Sequence, residues 1–200
     1  AHKYISIDET DTRKWFSASS ILGFVKNEFD ADTVAANCAV DKGSKWYGLT
    51  AEEIKELWKK ENKRATDMGR WYHANKEAEA GTENASPVID GWKYALPQKL
   101  KPGVYPEFIT YNEEWNICGQ VDRIEVKKDN TFNIIDYKTN KTFTNTSEYH
   151  LRHPLHNMKS CHYNLYALQL TAYAFMILKH NPQLRLGRLI LKHVTFAVKR

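Results

Sequence analysis

The sequence predicts an α/β (α+β) chain: a mixed sheet of four to five strands flanked by helices, preceded by an N-terminal helical region. Two changes of period lead there. Over residues 17–81 apolar side chains recur at helical spacing, whereas from residue 104 they alternate through three segments. One long apolar helical stretch then precedes a last strand. Helices, an antiparallel meander, a helix and a strand form the order of a sheet covered by helices, not of a bundle.

Each element follows from its own residues. Residues 17–41 (SASSILGFVKNEFDADTVAANCAVD) read as helix, turn at 27–30, and helix. Ser17 or Ser19 caps the first helix, and Asp30 or Asp32 the second. KGSKWYGLT is a loop. Thr50 and Glu53 make a T-x-x-E capping box that opens AEEIKELWKKE, since hydroxyl and carboxylate satisfy each other's free backbone N–H. A further helix over about 64–80 ends at Gly81. Residues 82–103 carry too many Gly, Pro, Ser and Asn breakers to assign. VYPEFITYN, WNICGQVDRIEV and TFNIIDYK are three strands, with hairpin breaks at 112–113 and 127–130. Residues 140–160 form a polar loop, and 161–180 the most apolar helix, stopped before Pro182. Its aromatic set, Tyr163, Tyr166, Tyr173 and Phe175, is expected in the core rather than as a stacking platform. RLILKHVTFAV is the last strand. Residues 1–200 are expected to make one domain, with a helical part over 1–81 and a core over 104–200.

Composition bounds the function. The 200 residues are 42% hydrophobic and 26% charged, enough to bury a core. No run of about 18 apolar residues exists to span a bilayer, and the N-terminal stretch has no apolar leader. The three cysteines, Cys38, Cys118 and Cys161, are far apart and form no C-x-x-C pair. That argues against a disulfide framework or a four-cysteine cluster and fits a reducing, intracellular setting. The net charge of +5 favours a polyanionic partner. No Walker A pattern is present, so no nucleotide cofactor is expected.

The chemistry centres on IIDYK. Side chains two apart on a strand share a face, so Asp136 and Lys138 point together. A carboxylate beside an ammonium suits phosphodiester hydrolysis, one holding a hard cation and the other assisting water. A hairpin centred near Asp129 sets Asp122 opposite Asp136 or within one residue of it. Two such carboxylates repel, and a divalent ion removes the penalty. On the upstream helix Gly69 and His73 share a face at i, i+4 spacing, and the glycine permits close approach of another backbone or strand. Gln169 and Tyr173 lie one turn apart in an otherwise apolar helix, where a buried amide needs polar partners. His150, His153 and His156, with Cys161 and His162 downstream, offer zinc ligands, but Pro154 breaks any helix aligning them. That segment reads as a loop.

GQVDRIEV, a short turn and NIIDYKTNK resemble motifs II and III of the PD-(D/E)XK nucleases, in particular their RecB-like branch. That branch carries G-x-x-x-H on an upstream helix, matched by Gly69 to His73, and Q-x-x-x-Y after the D-x-K strand, matched by Gln169 to Tyr173. The order is kept over residues 69–173. SASSILGF and YGLTAEEIKELW are similar to phage-type members. The resemblance implies a restriction-endonuclease-like core and a metal-dependent DNA nuclease, most often an exonuclease acting on ends. His73, Asp122, Asp136 and the carbonyl of Tyr137 would hold Mg²⁺ or Mn²⁺. Lys138 would be the catalytic lysine, Gln169 and Tyr173 would face the site, and Glu107 would support it. Thr139, Lys141 and Arg70 are the candidate DNA contacts. Members with an iron–sulfur cluster need four cysteines, so none is expected here. The competing readings are an endonuclease on DNA or RNA and a non-catalytic DNA-binding module.

Overall fold

A reciprocal cap fixes where the longest helix starts: Thr50 Oγ1 accepts the Glu53 N–H at 3.2 Å, and Glu53 accepts the Thr50 N–H at 2.8 Å. The computed structural model describes residues 4–8, 10–81 and 83–196. Its elements are β1 (Phe16–Ser17), α1 (Ala18–Val25), α2 (Ala31–Val40), α3 (Ala51–Ala80), β2 (Val88–Ile89), β3 (Trp92–Lys93), β4 (Gly103–Asn112), β5 (Ile117–Val126), β6 (Thr131–Lys138), α4 (His162–His180) and β7 (Arg185–His193). Ser17 and Asp30 cap α1 and α2 through their side chains.

The two helices expected between residues 51 and 80 are one helix of 30 residues. No proline interrupts KKENKRATD, and pairs at i+3 and i+4 span the join, Glu61–Arg64 and Lys63–Asp67 among them. Gly81, at φ +84°, ends it. Two short elements carried no usable periodicity: β1, and the two-stranded β2–β3 hairpin within 82–103.

The mixed sheet has five strands. β5 pairs antiparallel with β4 from Ile117 to Val126, and with β6 from Arg123 to Val126. β6 pairs parallel with β7, and β1 lies parallel against Ile117 and Cys118 of β5. Along that edge of β5 the stretch between Cys118 and Arg123 has no strand partner among the described residues. The sheet opens there, and the backbone ladder gives way to side chains.

One face is closed by α4. Leu170, Tyr173, Ala174, Met176 and Ile177 pack with Phe108, Val121, Ile124, Phe132 and Ile134. Burying these apolar side chains favours folding by about 25 cal/mol for each Å² removed from water. The core positions break alternation once on β4 and once on β5: Tyr105 is followed by Phe108, and Val126 and Ile124 by Val121. Glu107, at φ +47°, sits at the break on β4, and Asp122 at the break on β5. Of the aromatic set expected in the core, Tyr173 is buried, but Tyr163 and Phe175 are 51% and 47% exposed. The apolar surface of α4 is wider than the stripe its neighbours cover.

Candidate active site

The break in alternation brings two carboxylates to one place. Pro106↔Arg123 and Phe108↔Val121 are paired, so Glu107 and Asp122 occupy facing positions between them. α3 delivers the third group: His73 Nδ1 lies 3.3 Å from Asp122 Oδ1 and 3.6 Å from Glu107 Oε1. Ligand atoms of His73, Glu107 and Asp122 all fall within 4.8 Å of one another, the one such group of three among the described residues. Hydrogen bonding to Asp122 first, and to Glu107 next, raises the His73 pKa to about 10. The imidazolium therefore neutralises part of a doubly negative pocket, a task that a divalent cation can take over.

Further contacts hold these side chains. Asp122 Oδ2 accepts the Tyr137 N–H at 2.6 Å, just where β5 and β6 part. Glu107 accepts a hydrogen bond from Gln120. Sequence reasoning missed Gln120; its one signal is its place on the same strand two residues before Asp122.

Asp136 belongs to a second group. Lys138 Nζ lies 2.9 Å from its Oδ1 and 2.7 Å from its Oδ2. Burial raises the Asp136 pKa to about 6, with Lys138 opposing and Asp122 adding to the rise. The sequence reading put Asp136 in the metal set and Glu107 beside it. Here Glu107 joins His73 and Asp122, while Asp136 is turned to Lys138. Tyr137 meets the first group through its N–H, which Asp122 accepts.

The flanking helices frame a cleft of about 290 Å³ lined by Ala65, Thr66, Gly69, His73, Lys138 and Tyr166, together with Tyr137, Thr139 and Asn140. A Cβ on Gly69 would stand 3.1 Å from Thr139 Oγ1, so the glycine lets α3 pass close to the end of β6. On α4 Gln169 Nε2 donates to Tyr173 Oη at 2.9 Å. The Tyr173 ring fills the space over Gly119, and burial, with Asp136 next, pushes its phenol pKa up. Of the candidate substrate contacts, Thr139 lines the cleft, Lys141 is exposed beyond it, and Arg70 is exposed beside Asp67 at 3.7 Å and does not line it. A larger hollow, lined by Lys60, Lys63, Arg64 and Trp71, lies on a different face of α3 and holds none of these groups. His153 and His156 stack on each other, with ring centroids 5.9 Å apart, in the loop before α4.

The sequence model of the PD-(D/E)XK nuclease superfamily matches residues 30–197. The chain belongs to that superfamily. No curated protein and no solved structure matches it. Membership makes this PD-(D/E)XK protein a nuclease, a phosphodiester hydrolase whose substrate is nucleic acid. Nucleases of the superfamily use divalent metal ions, and the donor set here fits one. Two carboxylate oxygens and one imidazole nitrogen are hard to borderline donors, suited to small divalent cations. No helix among the described residues is long and apolar enough to cross a membrane.

Proposed function

We propose that this PD-(D/E)XK protein is a Mg²⁺- or Mn²⁺-dependent deoxyribonuclease of the RecB-like branch, a phage-type member, that hydrolyses DNA from its ends. One observation carries the metal-dependent chemistry: the His73–Glu107–Asp122 donor group lies at the same sheet opening as the Asp136–Lys138 pair. His73 on α3, with Gln169 bonded to Tyr173 on α4, supports the RecB-like assignment. Action on ends rests on the resemblance to that branch.

The residues divide the work. His73, Glu107 and Asp122 would hold the ion, with His73 giving up its proton as it binds. When bound, the ion supplies Lewis acidity and a water acidic enough to attack at neutral pH. Asp136 fixes the Lys138 ammonium at the cleft, where it orients that water and offsets negative charge growing on the phosphate. Thr139 and Lys141 would contact the phosphate backbone, which positions a strand without reading its sequence.

The test is cleavage of end-labelled linear and closed circular DNA, single- and double-stranded, with Mg²⁺, Mn²⁺ or EDTA. Wild type is compared with Lys138→Ala. Loss of linear DNA alone, abolished by EDTA and reduced at least about 100-fold by the substitution, is the expected result. Cutting of circles would replace the exonuclease with an endonuclease. Intact DNA and RNA under all conditions would leave a nucleic-acid-binding module.

A further inference from the structure

Beside Lys138 the cleft runs into a group of rings that the hydrolytic chemistry does not use. Tyr166 lines the cleft and has Lys138 Nζ over its face, 4.6 Å from the centroid. One turn earlier on α4, His162 stacks with it at 5.9 Å and a tilt of 20°. Phe143, from the loop after β6, lies 6.1 Å from Tyr166, 6.3 Å from His162 and 5.3 Å from His193 at the end of β7, tilted by 30° to 38°. His162 and Tyr166, stacked with centroids 5.9 Å apart, are offset, and the tilted Phe143 does not lie flat on either ring, so part of each face is left uncovered. None of the four is fully buried.

The fold holds the group in place. Cys161, the N-cap of α4, makes no side-chain capping bond. Thr144 does the work from the loop: its Oγ1 accepts the His162 N–H at 3.2 Å and its carbonyl the Tyr163 N–H at 3.0 Å. This pins Phe143 over the first turn of the helix. The Thr144 N–H in turn donates to His162 Nδ1 at 3.2 Å, which keeps that nitrogen unprotonated. His193 Nε2 contacts the Asn140 carbonyl oxygen at 2.7 Å, tying β7 to the same loop. Two cations lie near the group. Lys138 covers Tyr166, and Lys26 is near enough to His162 to act on it electrostatically.

We propose that Phe143, His162, Tyr166 and His193 form a stacking subsite for one unpaired nucleobase, next to the phosphate held at Lys138. Every base has a π face, so such a platform accepts any sequence, and Lys138 beside Tyr166 takes an adjoining phosphate. A base inside a duplex is stacked on both faces and offers none, so the occupant is an unpaired nucleotide, in a single strand or at a frayed end. The inference rests on the nuclease reading and adds to it the form of the substrate at the cleft.

The test reads binding, not cleavage. Fluorescence anisotropy with a labelled single-stranded oligonucleotide in EDTA is repeated while an abasic residue is moved along the strand. One position should weaken wild-type binding by about 5- to 150-fold, the value of one base–aromatic stack. Phe143→Leu should weaken binding to the intact strand by a similar factor and make the abasic position silent. Phe143→Tyr, which keeps a π face, should stay within about twofold of wild type. Equal affinity at every abasic position, or an abasic loss that persists undiminished in Phe143→Leu, would overturn the proposal. The abasic scan on wild type needs no variant to fold. Failure of the nuclease reading would show separately, as intact DNA in the cleavage assay.

Discussion

The two long helices reach the active site by opposite routes. α3 is written locally: its own capping box opens it, ion pairs three and four residues apart line its exposed surface, and a glycine at positive φ ends it. α4 has no capping side chain of its own, borrows Thr144, and buries Leu170, Met176 and Ile177 in the core. α3 delivers His73 to a carboxylate pair, and α4 delivers Tyr166 and Tyr173 against the sheet opening. A polar helix held by local bonds tolerates change along its length, whereas a packed one transmits every change to the sheet.

Glycines sharpen this contrast most. A Cβ at Gly119 would lie 2.3 Å from Tyr173 Cε1, inside the α4–sheet contact. Gly119→Ala is expected to destabilise by about 3 kcal/mol, because a well-packed ring must move. At Gly69 the obstacle is a side-chain hydroxyl at 3.1 Å, which can rotate away. Gly69→Ala is expected to stabilise by about 0.5 kcal/mol, helix propensity outweighing the adjustment, while lowering cleavage by narrowing the cleft. Urea midpoints of the two variants check both; equal losses would remove the distinction.

The borrowed cap comes next. Thr144→Ala should cost about 1 kcal/mol, and Thr50→Ala about the same. They should differ in effect: the first also weakens binding of single-stranded DNA, since Phe143 is no longer pinned, and the second leaves it unchanged.

Protonation separates the two site groups. The folded His73 pKa, about 10, lies above its unfolded value of about 6.5, so its contribution is fully present below pH 6.5 and is lost as pH rises toward 10. The Asp136 pKa is raised to about 6, so that proton favours the folded state below about pH 4 and the advantage is lost by pH 6. In EDTA, stability should therefore fall over both windows. His73→Gln should flatten the alkaline one and Asp136→Asn the acidic one. A metal added at pH 7 displaces the His73 proton, so Mn²⁺ binding should release protons and tighten with pH.

The smallest effect is on the surface of α3. Lys63→Ala removes an exposed i, i+4 pair with Asp67 and should change stability by no more than about 0.5 kcal/mol.

Much of this was legible in the residues. The hairpin at 127–130 fixes the β5–β6 register, and Arg123↔Ile135 is the pairing that a turn at Asp129 requires. Asp136 and Lys138 share a face because a strand has period two. Glu107 was harder to place. Its position beside His73 depends on a positive φ and a skipped alternation, which no periodicity announces. Tyr163 and Phe175 were misread as core because apolar character tells how much of a helix can be buried, not how much its neighbours cover.

The sequence by itself determined what is local: the caps of α1, α2 and α3, the hairpin turns, the D-x-K face and the order of motifs that marks a PD-(D/E)XK nuclease. Only the tertiary structure decided which donors meet, that Thr144 caps α4, and that Phe143 reaches Tyr166. The physical reason is range. Caps, turns and strand faces involve groups a few residues apart, while the donor group joins residues 73, 107 and 122 through three separate elements whose spacing is set by how the core packs.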